Sequence, residues 1–186
     1  MAPRPSVQLD RDRLIAAAFA LLEEEGLDGL SMRRLAARLD VQAPALYWHV
    51  GDKAELLGLM ARDIYAPAYD SMPDAPDWRT WLRGFGQALR ATFARHRDGA
   101  RLCAGAQAPR ERAVADHARQ IAAPLIALGL DQPRALSYVA SVISFALGWA
   151  SFEANGPMHD YLDEMLNFDQ SFETGLAALV SGFPDA

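Results

Sequence analysis

Apolar side chains recur at helical spacing along almost the whole chain. From about Asp10 the inward positions fall three or four residues apart, at Leu14, Ala18 and Leu21, which predicts an amphipathic first helix. Gly26 follows where a left-handed residue commonly caps a helix. We therefore expect the first helix to end at this glycine.

Two short helices are predicted next. Ser31 is a suitable N-cap for a second helix, whose inner face is Leu35 and Leu39. A tight break covers residues 40–42. A third helix is predicted over residues 43–50, with a proline in its first turn, where the missing N–H costs nothing.

Longer helices follow. Residues 52–55, with the sequence Asp-Lys-Ala-Glu, form a capping box that opens a fourth helix. We expect Pro67 and the proline-rich run at 73–77 to end it, and this loop is the candidate domain boundary. Further amphipathic segments are predicted over residues 78–95, 111–128, 132–153 and 160–181.

The fold class predicted by this pattern is all-α. Alternating runs rich in Val, Ile and Thr, which are typical of strands, are absent. We expect a three-helix unit over residues 1–53, with the connecting helix 52–69 starting at its end. A second helical unit is expected over residues 70–186.

Residues 135–152 carry no charge and are nearly long enough to span a bilayer. Serines dilute the hydrophobicity of this stretch, and no Lys or Arg follows it as an interfacial anchor. A buried helix in a soluble oligomer therefore explains the stretch better than a membrane span does.

Composition limits the chemistry. The chain has 186 residues, 51% of them hydrophobic, which is ample for a packed core. Its one cysteine, Cys103, excludes an intramolecular disulfide and a cysteine metal cluster, so we expect no metal site and no cofactor. The N-terminus lacks an apolar signal segment, which predicts a cytoplasmic location.

Charge is unevenly distributed, although the formal net charge is −6. Residues 31–53 contain Arg33, Arg34, Arg38 and Lys53 against only two aspartates, whereas every formal charge after Arg134 is acidic. A phosphate backbone would meet the local basic excess rather than the whole-chain charge.

The two short helices and their tight turn form a helix-turn-helix pattern, which could equally be an ordinary helical hairpin. Tyr47, Trp48 and His49 favour DNA binding. Consecutive helical residues point about 100° apart, so all three cannot face one core, and Leu46 and Val50 already supply the inward face. The alternative is that these rings are buried in the core.

These residues resemble the DNA-binding domain of TetR-family repressors. The resemblance rests on LSMRRLAA at 30–37, VQAPALYWHV at 41–50 and the Asp-Lys pair at 52–53. It continues into the tetracycline-repressor type through HRDGA at 96–100, Leu-Gly at 147–148 and FETGL at 172–176. Between residues 153 and 172 the chain is shorter than those repressors, so a helix there is expected to be reduced or missing.

The resemblance implies a set of DNA contacts. Arg33 would read guanine, Pro44 and Trp48 would make apolar base contacts, and phosphates would be held by Tyr47, His49 and Lys53. Ala43 and Ala45 replace polar readers, so a different operator sequence is expected. The complete implied set is Ser31, Arg33, Gln42, Ala43, Pro44, Ala45, Tyr47, Trp48, His49 and Lys53.

For the C-terminal unit the resemblance implies a homodimer that holds near-palindromic double-stranded operator DNA and releases it when a small-molecule effector binds. Apolar helices over residues 135–152 and 172–180 independently favour a dimer. The expected pocket residues, any of which could simply fill the core, are Tyr69, Phe85, Leu89, Cys103, Gln107, Tyr138, Phe145 and Trp149.

By the HRDGA alignment, Cys103 stands where the tetracycline repressors have the histidine that ligates drug-bound magnesium. Gln107 replaces their arginine and Phe85 their asparagine. Because magnesium prefers hard oxygen ligands, we expect a largely neutral, aromatic effector other than magnesium–tetracycline.

Two other classes of function compete with this interpretation. An enzyme is disfavoured: the His-Arg-Asp run at 96–98 lacks the asparagine and the glycine-rich loop of a kinase, and no Glu-x-x-His pair suits a di-iron site. A helical protein-interaction adaptor would keep the dimer but would not bind DNA. Salt-dependent DNA binding distinguishes it from a repressor.

Overall fold

The computed structural model describes residues 9–107, 114–154 and 156–185, and these residues form helices without any strand. The predicted all-α fold is confirmed. The helices are α1 (Arg11–Gly29), α2 (Met32–Leu39), α3 (Ala43–Leu46), α4 (Lys53–Asp70), α5 (Trp78–Phe93), α6 (Gly99–Gly105), α7 (Val114–Ala127), α8 (Gln132–Glu153), α9 (Gly156–Asp163) and α10 (Phe168–Ser181).

Side-chain caps start the N-terminal helices where the sequence predicts them. Asp10, Ser31 and Asp52 each accept a hydrogen bond from a backbone N–H in the first turn of α1, α2 and α4 respectively. Asp40 adopts the left-handed conformation (φ 55°, ψ 43°) in the turn between α2 and α3. Aspartate tolerates this geometry because its short polar side chain bonds locally.

Gly26 interrupts the regular helix where the sequence predicts an end, although its backbone is not that of a left-handed cap. It has a positive φ of 72°, but its ψ of 177° is extended rather than left-handed helical. The chain kinks there and forms one further turn to Gly29. A glycine accepts this conformation because it has no Cβ.

The third helix is shorter than expected, since α3 ends at Leu46 rather than at Val50. The backbone N–H of Tyr47 bonds to the carbonyl of Pro44, and that of His49 bonds to the carbonyl of Leu46. These i→i+3 bonds tighten the chain into a turn, as at many helix ends.

The fourth helix, α4, has nearly the expected range of 52–69, but Pro67 does not end it, because α4 continues through this proline to Asp70. Pro67 lies on the exposed side of the helix, where water can satisfy the carbonyl that loses its N–H partner. The helix still closes normally beyond the proline, with the Ser71 N–H bonding to the Pro67 carbonyl at 3.0 Å.

The second half follows the predicted segments with three differences. Helix α6 was not expected. The segment predicted over 160–181 is divided into α9 and α10, because Asn167 caps α10 by accepting the N–H of Gln170. The first residues of the segment predicted over 111–128 lie outside the described residues, and α7 begins at Val114. The short α9 buries none of its side chains, in keeping with the reduction expected there.

Helix α5 lies at the centre of the larger unit and contacts α4, α8 and α10. Its inward face includes Leu82, Phe85 and Leu89, all fully buried. Gly86 allows α10 to approach closely, because a Cβ at this position would lie 2.8 Å from the methyl carbons of Leu176. This packing fixes the helices that carry the expected pocket residues.

Helix α8 is long and apolar enough to cross a membrane by length and composition alone. In the structure it packs against α5, α6, α7, α9 and α10. One third of its apolar window, 33%, is buried within the chain. The rest of this helix remains available to another surface.

Candidate functional site

The turn after α3 divides its side chains sharply between core and surface. Leu46 and Val50 are buried, as expected. Trp48 is 89% exposed and Tyr47 is 50% exposed, whereas His49 is half-buried. Burying an apolar side chain such as an indole normally stabilises the folded state, and an exposed indole does not make this contribution. An exposed ring at the tip of a small helical unit therefore indicates a contact surface.

The basic residues beside this turn are not equivalent. Arg38 forms two hydrogen bonds to Glu24 of α1, at 2.6 and 2.8 Å, and Arg34 forms an ion pair with Glu25. The hydrogen bond from Arg38 lowers the pKa of Glu24. These two arginines hold α2 against α1, and their charges are offset by the partner carboxylates.

Arg33 and Lys53 are the unpaired basic residues of this face. Both side chains are exposed, and neither forms a salt bridge within the described parts of the chain. Lys53 is the first residue of α4, directly after the cap Asp52. The Arg33 guanidinium is therefore available to an anionic partner, and the exposed Lys53 ammonium adds, after Arg101, to the positive charge that lowers the pKa of Asp28.

The remaining implied DNA contacts lie on the same unit. Gln42 and Pro44 are exposed at the start of α3, and Ala43 and Ala45 are half-buried. Ser31 already accepts the N–H of Arg34 at 3.3 Å as an N-cap. That bond gives Ser31 a structural role independent of DNA.

Part of the expected pocket is assembled between α4 and α5. The ring of Tyr69 packs on Phe85 with centroids 4.5 Å apart, and Trp81 stacks on the same phenylalanine at 4.9 Å and lies 6.4 Å from Tyr69. Leu89 lies one turn further along α5 and is fully buried. Burial raises the pKa of the Tyr69 hydroxyl, so this phenol remains neutral.

Cys103 on α6 adjoins a residue that sequence reasoning missed, Tyr65 of α4. The two side chains are close enough that each affects the pKa of the other. Burial raises the pKa of the thiol to about 12 and also raises that of the Tyr65 hydroxyl. Both groups are therefore neutral. Tyr65 precedes Tyr69 by four residues, so the two side chains lie on the same face of α4, and this spacing could have identified Tyr65 from the sequence.

The other expected pocket residues lie elsewhere. Phe145 and Trp149 form an aromatic cluster with Phe172 of α10. Tyr138 lies at the opposite end of α8, near the start of α5, and Gln107 is exposed beyond the end of α6. The eight residues therefore do not form one continuous wall in this structure.

Two cavities lie outside this set of residues. One, of about 920 Å³, lies between the end of α1, the α5–α6 turn and the end of α8, and the other, of about 400 Å³, lies beside Arg90. None of the expected pocket residues lines either cavity. Within the described parts of the chain, no cluster of three or more His, Cys, Asp or Glu side chains is placed to hold a metal ion.

A set of polar contacts joins the three-helix unit to the larger unit. Asp98 accepts the backbone N–H of Leu27 at 2.8 Å, and Arg101 forms two hydrogen bonds to Asp28 at 2.7 and 2.9 Å. His96 lies 3.1 Å from Glu23. The residues 96–101 that resemble the family motif thus connect α1 to α6, a contact that sequence reasoning did not identify.

Comparison with known proteins gives matches to both units. The family model "Bacterial regulatory proteins, tetR family" matches residues 14–60, and "Tetracyclin repressor-like, C-terminal domain" matches residues 72–164. The chain is similar to the tetracycline repressor protein class D from Escherichia coli, with 42% identity over 53% of this chain and 46% of that protein. The matched stretch therefore spans less than half of the length of this curated relative.

Solved structures are similar over nearly the whole chain. A variant of TetR from Acinetobacter baumannii AYE in complex with minocycline has a TM-score of 0.78 at 34% identity, with 95% of this chain and 97% of that chain covered. ActR from Streptomyces coelicolor in complex with (S)-DNPA has a TM-score of 0.75 at 26% identity, with 95% and 97% covered. On the matches to both units and on these structures, the chain belongs to the TetR family of bacterial regulatory proteins.

Proposed function

We propose that this protein is a cytoplasmic transcriptional regulator that binds near-palindromic double-stranded operator DNA as a homodimer and releases it when a small-molecule effector binds. The three-helix unit over residues 1–53 reads the DNA, the helix over 52–69 connects, and residues 70–186 bind the effector and the second subunit. The proposed activity is repression, and no catalysis is part of it.

The observation that carries the proposal is the 89% exposure of Trp48 on a unit whose Arg33 and Lys53 side chains are exposed and form no salt bridge within the described parts of the chain. An aromatic side chain at the tip of a helical unit can contact a thymine methyl in the major groove. Flanking cations supply the phosphate attraction that dominates affinity. The proposal therefore assigns base reading to Arg33 and Trp48 and phosphate contact to Lys53.

Dimer formation follows from the surface of α8. Leu136, Ile143 and Leu147 are only half-buried, and Phe152 is 48% exposed. Apolar surface of this extent is rare on a monomer. A second copy that covers it would hold two DNA-reading units about 34–36 Å apart, one turn of the double helix.

The effector proposed is a largely neutral, aromatic molecule bound near Tyr65, Tyr69, Phe85 and Cys103. These side chains offer aromatic rings and three neutral hydrogen-bonding groups, the phenols of Tyr65 and Tyr69 and the thiol of Cys103, and no carboxylate or imidazole is among them. The related structures named above were solved with minocycline and with (S)-DNPA. The family fold thus accommodates more than one small molecule.

Release follows from a shift between two conformations of the dimer. Cys103 lies on α6, and the cap of this helix, Asp98, is bonded to α1. An effector that prefers a different position of α6 would change the spacing of the DNA-reading units. Only a difference in affinity between the two states can cause the shift, and about 10⁴-fold is needed to go from 1:99 to 99:1.

The test is selection of bound duplexes from random DNA, followed by equilibrium binding at increasing salt. A repressor loses affinity linearly in a log–log plot, because each neutralised phosphate releases counterions. Trp48→Ala should weaken binding, whereas Tyr161→Ala, which removes another exposed ring, should leave it unchanged. If the protein does not bind duplex DNA at low salt, the proposal fails and the helical protein-interaction adaptor is the better interpretation.

A further inference from the structure

The segment 183–185, which follows α10, lies against the first turn of α5 and the first half of α8. The ring of Phe183 is stacked on that of Tyr138, with centroids 4.2 Å apart and planes inclined by only 2°. Trp78 contacts the same tyrosine at 5.4 Å. Both receiving rings are more than nine-tenths buried although they adjoin the surface.

Polar groups hold the same segment. The Tyr138 hydroxyl donates to the backbone carbonyl of Pro184 at 3.1 Å. Arg79 donates to the Asp185 carboxylate at 2.5 Å and to the Phe183 carbonyl at 2.8 Å. The guanidinium of Arg79 is itself placed over the Trp78 ring, 4.0 Å from its centroid.

The segment thus places an aromatic ring against another aromatic ring and a carboxylate against a guanidinium. Tyr138 receives the ring by stacking, and Arg79 receives the carboxylate in a charge-assisted hydrogen bond. The receiving side chains belong to α5 and α8, two helices that pack directly on each other.

The segment itself is weakly held. Asp185 is 86% exposed, Pro184 is exposed, and the backbone hydrogen bond of the segment runs from the Phe183 N–H to the Val180 carbonyl at 3.3 Å. An exposed ion pair contributes at most about 1 kcal/mol. A short peripheral segment of this kind can open without unfolding the helix that precedes it.

We propose that Trp78, Arg79 and Tyr138 form a binding site for a small aryl carboxylate, and that segment 183–185 occupies this site as a competitor within the same chain. The site is separate from the Tyr69–Phe85 cluster and does not depend on DNA binding. It selects a molecule in which a flat ring and a carboxylate are separated by a short linker.

Competition within the chain sets the apparent affinity. A ligand binds only the fraction of molecules in which the segment is displaced, so its dissociation constant is the intrinsic value divided by that fraction. Removing the ring and the charge from the segment raises the open fraction. The ligand then binds more tightly without any change in the residues that contact it.

The experiment uses the full chain with Phe183→Ala and Asp185→Asn combined, and 3-phenylpropionate as the probe. Isothermal titration should give a dissociation constant about tenfold lower than that of the unchanged chain, as expected when the open fraction rises from about a tenth towards one. The matched control combines Tyr161→Ala with Asp163→Asn, which removes a ring and a carboxylate from the exposed α9 and should leave the affinity unchanged.

Two further measurements distinguish binding at this site from a nonspecific effect of destabilising the chain. Adding Arg79→Gln to the double variant should abolish binding, and 3-phenylpropanol, which lacks the carboxylate, should bind at least tenfold more weakly. If the double variant does not fold, Asp185→Asn alone should still tighten binding of the probe. Equal affinity in the altered and unaltered chains, or binding that survives the loss of Arg79, overturns the proposal.

Discussion

The carboxylate of Asp98 accepts the backbone N–H of Leu27 at 2.8 Å, across 71 positions of sequence. Asp98 has a positive φ of 56° and begins α6, while Leu27 follows the kink at Gly26. Two unusual backbone conformations therefore meet at the contact between the DNA-reading unit and the larger unit. The kink at Gly26 and the positive φ of Asp98 are thus both found at the hydrogen bond between Leu27 and Asp98.

This contact predicts a large effect of Gly26→Ala. A Cβ at this position would lie 2.9 Å from the Asp98 carboxylate and 3.3 Å from the Arg97 side chain, on a backbone with φ of +72°. Urea denaturation should show that the free energy of unfolding falls by roughly 1–3 kcal/mol, since both strain and the lost hydrogen bond contribute. Gly105→Ala is the control: nothing lies within 4 Å of its Cβ, so stability should be unchanged or slightly raised.

The sequence predicts the helices well where a cap or an apolar face defines them. Helix α8 has the expected bounds, and Ser31 and Asp52 start α2 and α4. Helix α6 was missed because it has only seven residues, with glycine at both ends. Its stability comes from tertiary contacts of Leu102 and Cys103, which local propensity does not reveal.

The exposure of Tyr47 and Trp48 was predictable, because Leu46 and Val50 supply the inward face and their neighbours must point elsewhere. The positions of the expected pocket residues were harder to predict. Side chains at the two ends of α8, such as Tyr138 and Trp149, share its sequence pattern but face different partners. Which neighbour each one meets depends on helix crossings between elements distant in sequence.

Arg33→Ala should lose about 1–3 kcal/mol of binding free energy on the selected operator and relax the preference at one base pair. The reason is that Arg33 is unpaired and exposed, so its two-pronged donor set is available to guanine. The measurement is equilibrium binding to the operator and to its single-base variants. Arg38→Ala serves as comparison, because Arg38 is occupied by Glu24; an equal loss of Arg33→Ala on every sequence would refute base reading.

Lys53→Ala should weaken binding to all duplexes alike. A phosphate contact carries no sequence information, and its removal reduces the slope of log affinity against log salt by about one unit. Fluorescence anisotropy over a salt series measures this slope directly. If the slope stays the same, Lys53 does not contact the DNA backbone.

Magnesium–tetracycline should fail to release the operator. The expected metal ligand is replaced by Cys103, whose thiol is protonated and is a poor partner for a hard cation. A mobility-shift assay with the selected duplex and increasing magnesium–tetracycline should show an unchanged complex. Release at micromolar drug would contradict the apolar character assigned to the pocket.

The Cys103 thiol should be nearly unreactive in the native protein at neutral pH. Burial raises its pKa from 9.0 to about 12, and only the thiolate attacks a disulfide reagent. Labelling with Ellman's reagent should therefore be slow until urea unfolds the chain. The same pKa shift makes the stability of the fold depend on pH. The contribution of the Cys103 thiol to the free energy of unfolding is fully present below pH 9.0 and is lost as the pH rises towards about 12, because the thiol of the unfolded chain ionises first. Stoichiometric labelling of the folded protein within minutes would show that the thiol is exposed to solvent and would remove it from the interior of the proposed pocket.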